Sequence, residues 1–167
     1  LWERLPHRQV ATVYPPLAMA VFSIAARLPA PTLALKLMLS LLDLGSCVLL
    51  LFLIRRLGVP DRRAIWYAWN PLVTLEIAGM GHVDALGVAA ILVVAVALVS
   101  RPPRAVMAGV AAAAAVLAKL VPLVALPAWA RQSGRPWVLV ALVTALLIAT
   151  LTPIVVLTGH RVSWPMA

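Results

Sequence analysis

The feature that most constrains this chain is a predominantly apolar run over residues 32–54, closed by Arg55 and Arg56. Wound as a helix, its 23 residues rise about 34 Å, enough to cross a hydrocarbon layer of about 30 Å. Comparable runs recur along the sequence. Hydrophobic residues make up 64% of the 167 and charged residues only 11%, with a mean hydropathy of +1.05. These proportions exclude a water-soluble globule, a disordered chain and, with 8 scattered glycines, a collagen. The expected class is an integral membrane protein.

Charge agrees. The formal net charge is +9, which in a soluble protein would point to nucleic acid. Here eight of the basic residues sit in short turns between apolar stretches: Arg55, Arg56, Arg62 and Arg63, then Arg101 and Arg104, then Arg131 and Arg135. This is the loop charge of the positive-inside pattern, so no nucleic-acid partner is expected. The single Cys47 excludes an intrachain disulfide and a cysteine-based metal site. The chain opens on Leu1 rather than Met and is read as part of a longer protein.

Between Arg63 and Arg101 the apolar sequence is long enough to cross and return. The stretch Gly79 to Asp84 serves as its turn, giving a helical hairpin of 64–79 and 85–99. A second, shorter hairpin between Arg104 and Arg131 breaks at Lys119, Leu120, Val121 and Pro122, its arms re-entrant or strongly tilted. Gly109, Ala113, Ala114 and Ala118 would let its helices approach closely. A last span covers 137–158, with Pro153 near its end. Residues 10–28 leave two readings, a span or an amphipathic helix lying on the surface after the polar stretch Trp2 to Gln9. The fold expected is all-α, a polytopic transmembrane bundle of about five or six membrane helices, as one domain over 1–167.

Hairpin parity puts all three arginine-bearing turns on one side, the cytoplasmic one. Trp66, Tyr67, Trp69 and Trp137 then fall at that interface as an aromatic belt. Lys36, Glu76, His82, Asp84, Lys119 and His160 collect at the opposite, outer face.

Each polar residue carries a bland reading beside a functional one. Lys36, Ser40, Asp43 and Cys47 follow one helical stripe, so this face turns inward. Asp43 lies about 10 Å along the axis from Lys36 and needs a partner on a neighbouring element, as a structural carboxylate or as a functional intramembrane acid. Lys36 either snorkels to the outer headgroups or faces a ligand. Glu76, His82 and Asp84 form a set suited to a sugar, a metal or proton transfer, against which Asp84 can simply cap the helix beginning at 85. The ligand count for a metal is thin and no HExxH pattern occurs, so a divalent metal is neither required nor excluded. Lys119, with no local carboxylate, is either a snorkelling lysine or a fixed cation for a phosphate. No P-loop, GxSxG or GxGxxG pattern is present.

Four stretches in order, VYPPLA (13–18), KLMLSLLDL (36–44), AWNPLVTLEIAGMGHVDAL (68–86) and AVLAKLVPLVALPAW (115–129), resemble the GT-C superfamily of membrane glycosyltransferases. The nearest by pattern are bacterial polyprenol-phosphate-mannose-dependent mannosyltransferases, similar to glycosyltransferase family 87, and more distantly the GPI mannosyltransferases. The resemblance spans Val13 to about Trp129. It implies a hexosyltransferase of the bacterial cytoplasmic membrane, most simply a mannosyltransferase. The donor implied is a lipid-linked polyprenyl-phosphate sugar, the acceptor a glycan or glycolipid, and transfer occurs at the extracytoplasmic face among membrane lipids. It implies that Tyr14 to Arg27 lie along the outer surface. Tyr14, His82 and Asp84 would line the cavity and Lys36 and Lys119 would meet the donor phosphate, while Asn70 and Asp43 match positions with a packing role. The family's catalytic acid precedes the Pro-Pro stretch, upstream of Leu1, and Glu3 is a poor substitute by position. The isolated 167 residues are accordingly expected to be inactive. The competing class is a secondary transporter with an ion or proton path through Asp43, Glu76, His82 and Asp84. A third reading, a structural subunit, predicts tolerance to substitution at His82 and Asp84.

Overall fold

The computed structural model describes residues 14–158, and the side chains of 14–156. His160, Glu3 and the stretch Trp2 to Gln9 lie outside the described residues. All regular structure among the described residues is helical. The helices are α1 (Pro16–Ala26), α2 (Pro31–Arg56), α3 (Ile65–Ala68), α4 (Pro71–Thr74), α5 (Asp84–Val99), α6 (Ala105–Ala118), α7 (Leu126–Gln132) and α8 (Pro136–Thr158). Tight 3₁₀ turns over Asp61–Ala64 and Val121–Ala125 and a wide π turn over Leu75–Gly79 connect them.

Two helices are long and apolar enough to cross a membrane, α2 and α8. Both begin on proline, whose missing N–H costs nothing in a first turn. At 16 and 14 residues, α5 and α6 rise about 24 and 21 Å, short of a full hydrocarbon layer. The 11 residues of α1 rise about 16 Å, too few to cross alone. It packs on α2 and α6.

The arms expected over 64–79 and after Lys119 are not single helices. Pro71 lacks an N–H and forces Asn70 to extended backbone (φ −76°, ψ 115°), which ends α3 at Ala68. Asn70 then caps α4, its Oδ1 accepting the Leu72 N–H at 3.0 Å. Lys119 is likewise extended (φ −157°, ψ 138°), and the chain resumes as a 3₁₀ turn and the seven-residue α7.

The long elements pack in the order α2, α5, α6, α8. Small residues allow it: Ala97, Ala108 and Ala112 are fully buried with Val94 and Leu139. At Gly109 a β-carbon would lie 3.1 Å from Leu142 Cβ and 3.3 Å from Leu139 Cα, so this glycine sets the α6–α8 separation. On α2, Leu33, Leu37, Leu41, Leu44, Val48 and Phe52 form an exposed stripe at helical spacing, opposite buried Leu39, Ser46 and Ile54. The set expected to turn inward, Lys36, Ser40, Asp43 and Cys47, is only half-buried and flanks that most buried face.

The bundle has two unlike ends. Arg56 and Arg101 line one cleft, and a β-carbon at Gly134 would reach Pro103, so the three arginine-bearing turns gather together. A second apolar cluster, Ala18, Leu39, Ile77, Val83 and Ala85, ties α1, α2, the π turn and the start of α5 at the other end.

Candidate functional site

Val83 of that second cluster also lines a cavity of about 570 Å³ at the end away from the arginines. Tyr14, Glu76, His82, Asp84 and Lys119 line it with Pro15, Leu72, Val83 and Leu120. Four elements deliver these groups. Tyr14 stands ahead of α1, its ring edge-on to Phe22 with centroids 5.1 Å apart. Glu76 lies on the π turn, Asp84 opens α5, and Lys119 is the break after α6. The wide turn returns the chain sharply: Met80 N–H donates to Leu75 O, Gly81 N–H to Ile77 O and His82 N–H to Glu76 O. Gly81 takes φ +77°, which a side chain resists. These constraints bring the Glu76 carboxylate onto His82 Nδ1. With Nδ1 engaged, Nε2 is the ring nitrogen left for a ligand.

Asp84 does not cap α5. It is the first helical residue, and its Oδ1 accepts from Lys119 Nζ at 2.6 Å. Lys119, which has no carboxylate nearby in sequence, therefore finds its partner 35 residues away, where local spacing does not show it. Both side chains are about half exposed, at 55% and 54%. An ion pair so exposed contributes about 0–1 kcal/mol, so either member exchanges partners at little cost. The N–H groups opening α5 add partial positive charge beside Lys119.

Lys36 does not line the cavity. Its Cγ packs below Gly81, 3.5 Å from where a β-carbon would stand. Asp43 is also elsewhere: Tyr67 Oη donates to Asp43 Oδ1 at 2.5 Å, the partner its depth required. This turns Tyr67 inward, out of the aromatic belt in which it was expected, whereas Trp66, Trp69 and Trp137 are strongly exposed. Asn70 is a helix cap. Among the described residues no three His, Cys, Asp or Glu side chains converge as a metal-ligand set.

Sequence reasoning missed the apolar surroundings of the cavity. Asp84 and Lys119 also head a second cavity of about 540 Å³, lined by Gly87, Val88, Ile91, Val121, Val124 and Trp129. Gly87, Val88 and Ile91 share one face of α5, a signal that periodicity on a uniformly apolar helix hides. A polar chamber and an apolar groove thus meet at one ion pair.

No curated protein and no solved structure matches the chain. A family model does, over residues 6–135, which hold every residue of both cavities. The match is to the MptA_B family, described as alpha-(1->6)-mannopyranosyltransferase, N-terminal domain, and the chain belongs to this family.

Proposed function

We propose that the cavity receives a mannose carried on a polyprenyl phosphate, and that transfer takes place at the extracytoplasmic face of a bacterial cytoplasmic membrane. The observation that carries this reading is the meeting of polar chamber and apolar groove at Lys119. A lipid-linked sugar has the same three parts: a polyhydroxyl head, an anionic phosphate and a hydrocarbon tail. Lys119, beside the N-terminus of α5, suits the phosphate. His82 Nε2 and the Tyr14 hydroxyl suit sugar hydroxyls, and the groove along Gly87, Val88 and Ile91 suits the tail.

In this reading the transfer inverts the anomeric carbon. The acceptor hydroxyl, on a glycan or glycolipid, loses its proton to a carboxylate that the GT-C resemblance puts upstream of Leu1. The acceptor oxygen bonds to the anomeric carbon, the bond from that carbon to the phosphate oxygen breaks, and its electron pair leaves on the phosphate. Charge grows there, so Lys119 strengthens its hold as the bond breaks by exchanging Asp84 for the leaving group. Membrane integration follows from α2 and α8 crossing the bilayer, with the shorter α5 and α6 tilted or re-entrant and α1 along the outer surface.

The test is Lys119→Ala in the full-length enzyme, assayed with polyprenyl-phosphate-mannose. Turnover is expected to fall by about 10²–10³, the cost of one preorganised donor to a developing oxyanion. Unchanged turnover would remove Lys119 from the mechanism.

A further inference from the structure

At the arginine end, the C-termini of α2 and α5 enclose a cleft of about 630 Å³. Its walls are of two kinds: Leu57, Leu98 and Val99 are apolar, and Arg56, Ser100 and Arg101 are polar. Helix C-termini ordinarily repel anions through their free carbonyls. Here several of those carbonyls are already bonded. After α2, Gly58 adopts φ +69°, so that its N–H donates to Arg55 O and the Val59 N–H to Ile54 O. After α5, the Ser100 hydroxyl donates to Val96 O at 2.9 Å and the Arg104 N–H to Ala97 O at 3.0 Å.

With those carbonyls engaged, the net charge of the cleft comes chiefly from its side chains. Eight arginines share this end with one described carboxylate, Asp61. Arg55 already holds both oxygens of Asp61, through Nε at 3.1 and 3.0 Å and Nη2 at 2.7 Å. Among the described residues no further acid stands at this end to neutralise Arg56 or Arg101. Arg56 is also steered, its guanidinium 4.9 Å from the centroid of the Phe52 ring. Phe52 belongs to the exposed stripe of α2, so Arg56 stands where a lipid-facing surface gives way to the cleft.

We propose that this cleft binds one anionic phospholipid, its headgroup phosphate between Arg56 and Arg101 and its acyl chains over Leu98 and the α2 stripe. A soluble phosphate shares the headgroup's chemistry but has no use for the apolar wall. The site requires α2 to cross a bilayer and is independent of the chemistry at the opposite end, so a failed mannosyl transfer leaves it standing.

The test uses the full-length protein in phosphatidylcholine nanodiscs, with or without phosphatidylglycerol, reading thermal unfolding and the phosphatidylglycerol retained per protein. Phosphatidylglycerol is expected to raise the unfolding temperature of the wild type. R56Q/R101Q should lose that shift and retain lipid about ten- to thirty-fold less tightly, the effect of two interfacial charges. R56K/R101K, which keeps both charges, should preserve most of the shift, and R62Q/R63Q all of it. Three results would overturn the proposal: a shift that survives in R56Q/R101Q, equal loss in R62Q/R63Q, which would mean diffuse surface charge, or the same shift from inorganic phosphate in phosphatidylcholine, which would mean a free anion.

Discussion

Asp84 and Lys119 carry opposite charges at bonding distance, yet the proposed chemistry makes their roles unequal. Lys119 is to hold the leaving phosphate, whereas Asp84 only keeps the ammonium in place between turnovers. Asp84→Asn is therefore expected to retain most of the turnover that Lys119→Ala loses, both variants unfolding near the wild-type temperature because the pair is exposed. Equal losses, measured with the same donor, would mean that the ion pair itself is the functional unit. The inner pair behaves differently. Tyr67→Phe leaves the half-buried Asp43 carboxylate without its hydroxyl donor and should cost about 1–2 kcal/mol of stability. Its effect on transfer should be small, since neither residue lines the cavity. Unaltered unfolding of Tyr67→Phe would show that the bond contributes nothing. That Asp43 needs a partner was legible from its depth in a membrane-length helix. Which residue supplies it was not, because Tyr67 comes from a segment whose break at Pro71 turns its side chains through an angle that no periodicity encodes.

The elements divide by how much their ends depend on local chemistry. The two long helices were legible almost to the residue, 32–54 against Pro31–Arg56 and 137–158 against Pro136–Thr158, because proline starts and arginine or polar stops bracket runs that are predominantly apolar. The hairpin arms were not. A hydropathy pattern reads residues 64–79 as one apolar length, while Asn70-Pro71 and the π turn divide it into pieces with different axes. Small-residue packing on α6 was legible in kind, though the partner is α8 rather than the other arm of its own hairpin. This packing makes Gly109→Val destabilising by about 1–3 kcal/mol in thermal or denaturant unfolding, as the backbone at Leu139 cannot yield locally. Gly45→Ala on α2 is the control: no atom lies within 4 Å of its added β-carbon, and helix propensity should stabilise it by up to about 1 kcal/mol. The opposite order would mean that α6 and α8 do not meet there. Near the end of α2, the Arg55 guanidinium holds the Asp61 carboxyl below the usual carboxylate range. The contribution of that lock is present above the ordinary carboxylate pKa and fades as pH falls through the depressed value. Asp61→Asn should therefore lose a small increment of stability near neutral pH that vanishes in strong acid, as a pH series of unfolding temperatures would read.

At the scale of the molecule the organising property is polarity between ends. Arginine turns and an anion-ready cleft lie at one, and an acid–base cavity with an apolar annex lies at the other. The parity of hairpins predicted this sorting, and it survives the breakage of both hairpins because the chain still reverses at Asp84, before Ala105, after Lys119 and before Pro136. The annexed groove was not legible, since on helices apolar all round it is the absence of a neighbour, not a residue type, that makes a groove. The chain belongs to a mannosyltransferase family, in the proposed function that chemistry falls to the cavity end, and sidedness decides which compartment it would serve. The most direct measurement is sided thiol labelling of the full-length enzyme in oriented vesicles, with Cys47 replaced by alanine and single cysteines at Leu120 and Arg62. The cysteine at 120 should react with an impermeant reagent from the extracytoplasmic side and the one at 62 only from the cytoplasmic side. Reaction of both from the same compartment would contradict the arrangement proposed for transfer.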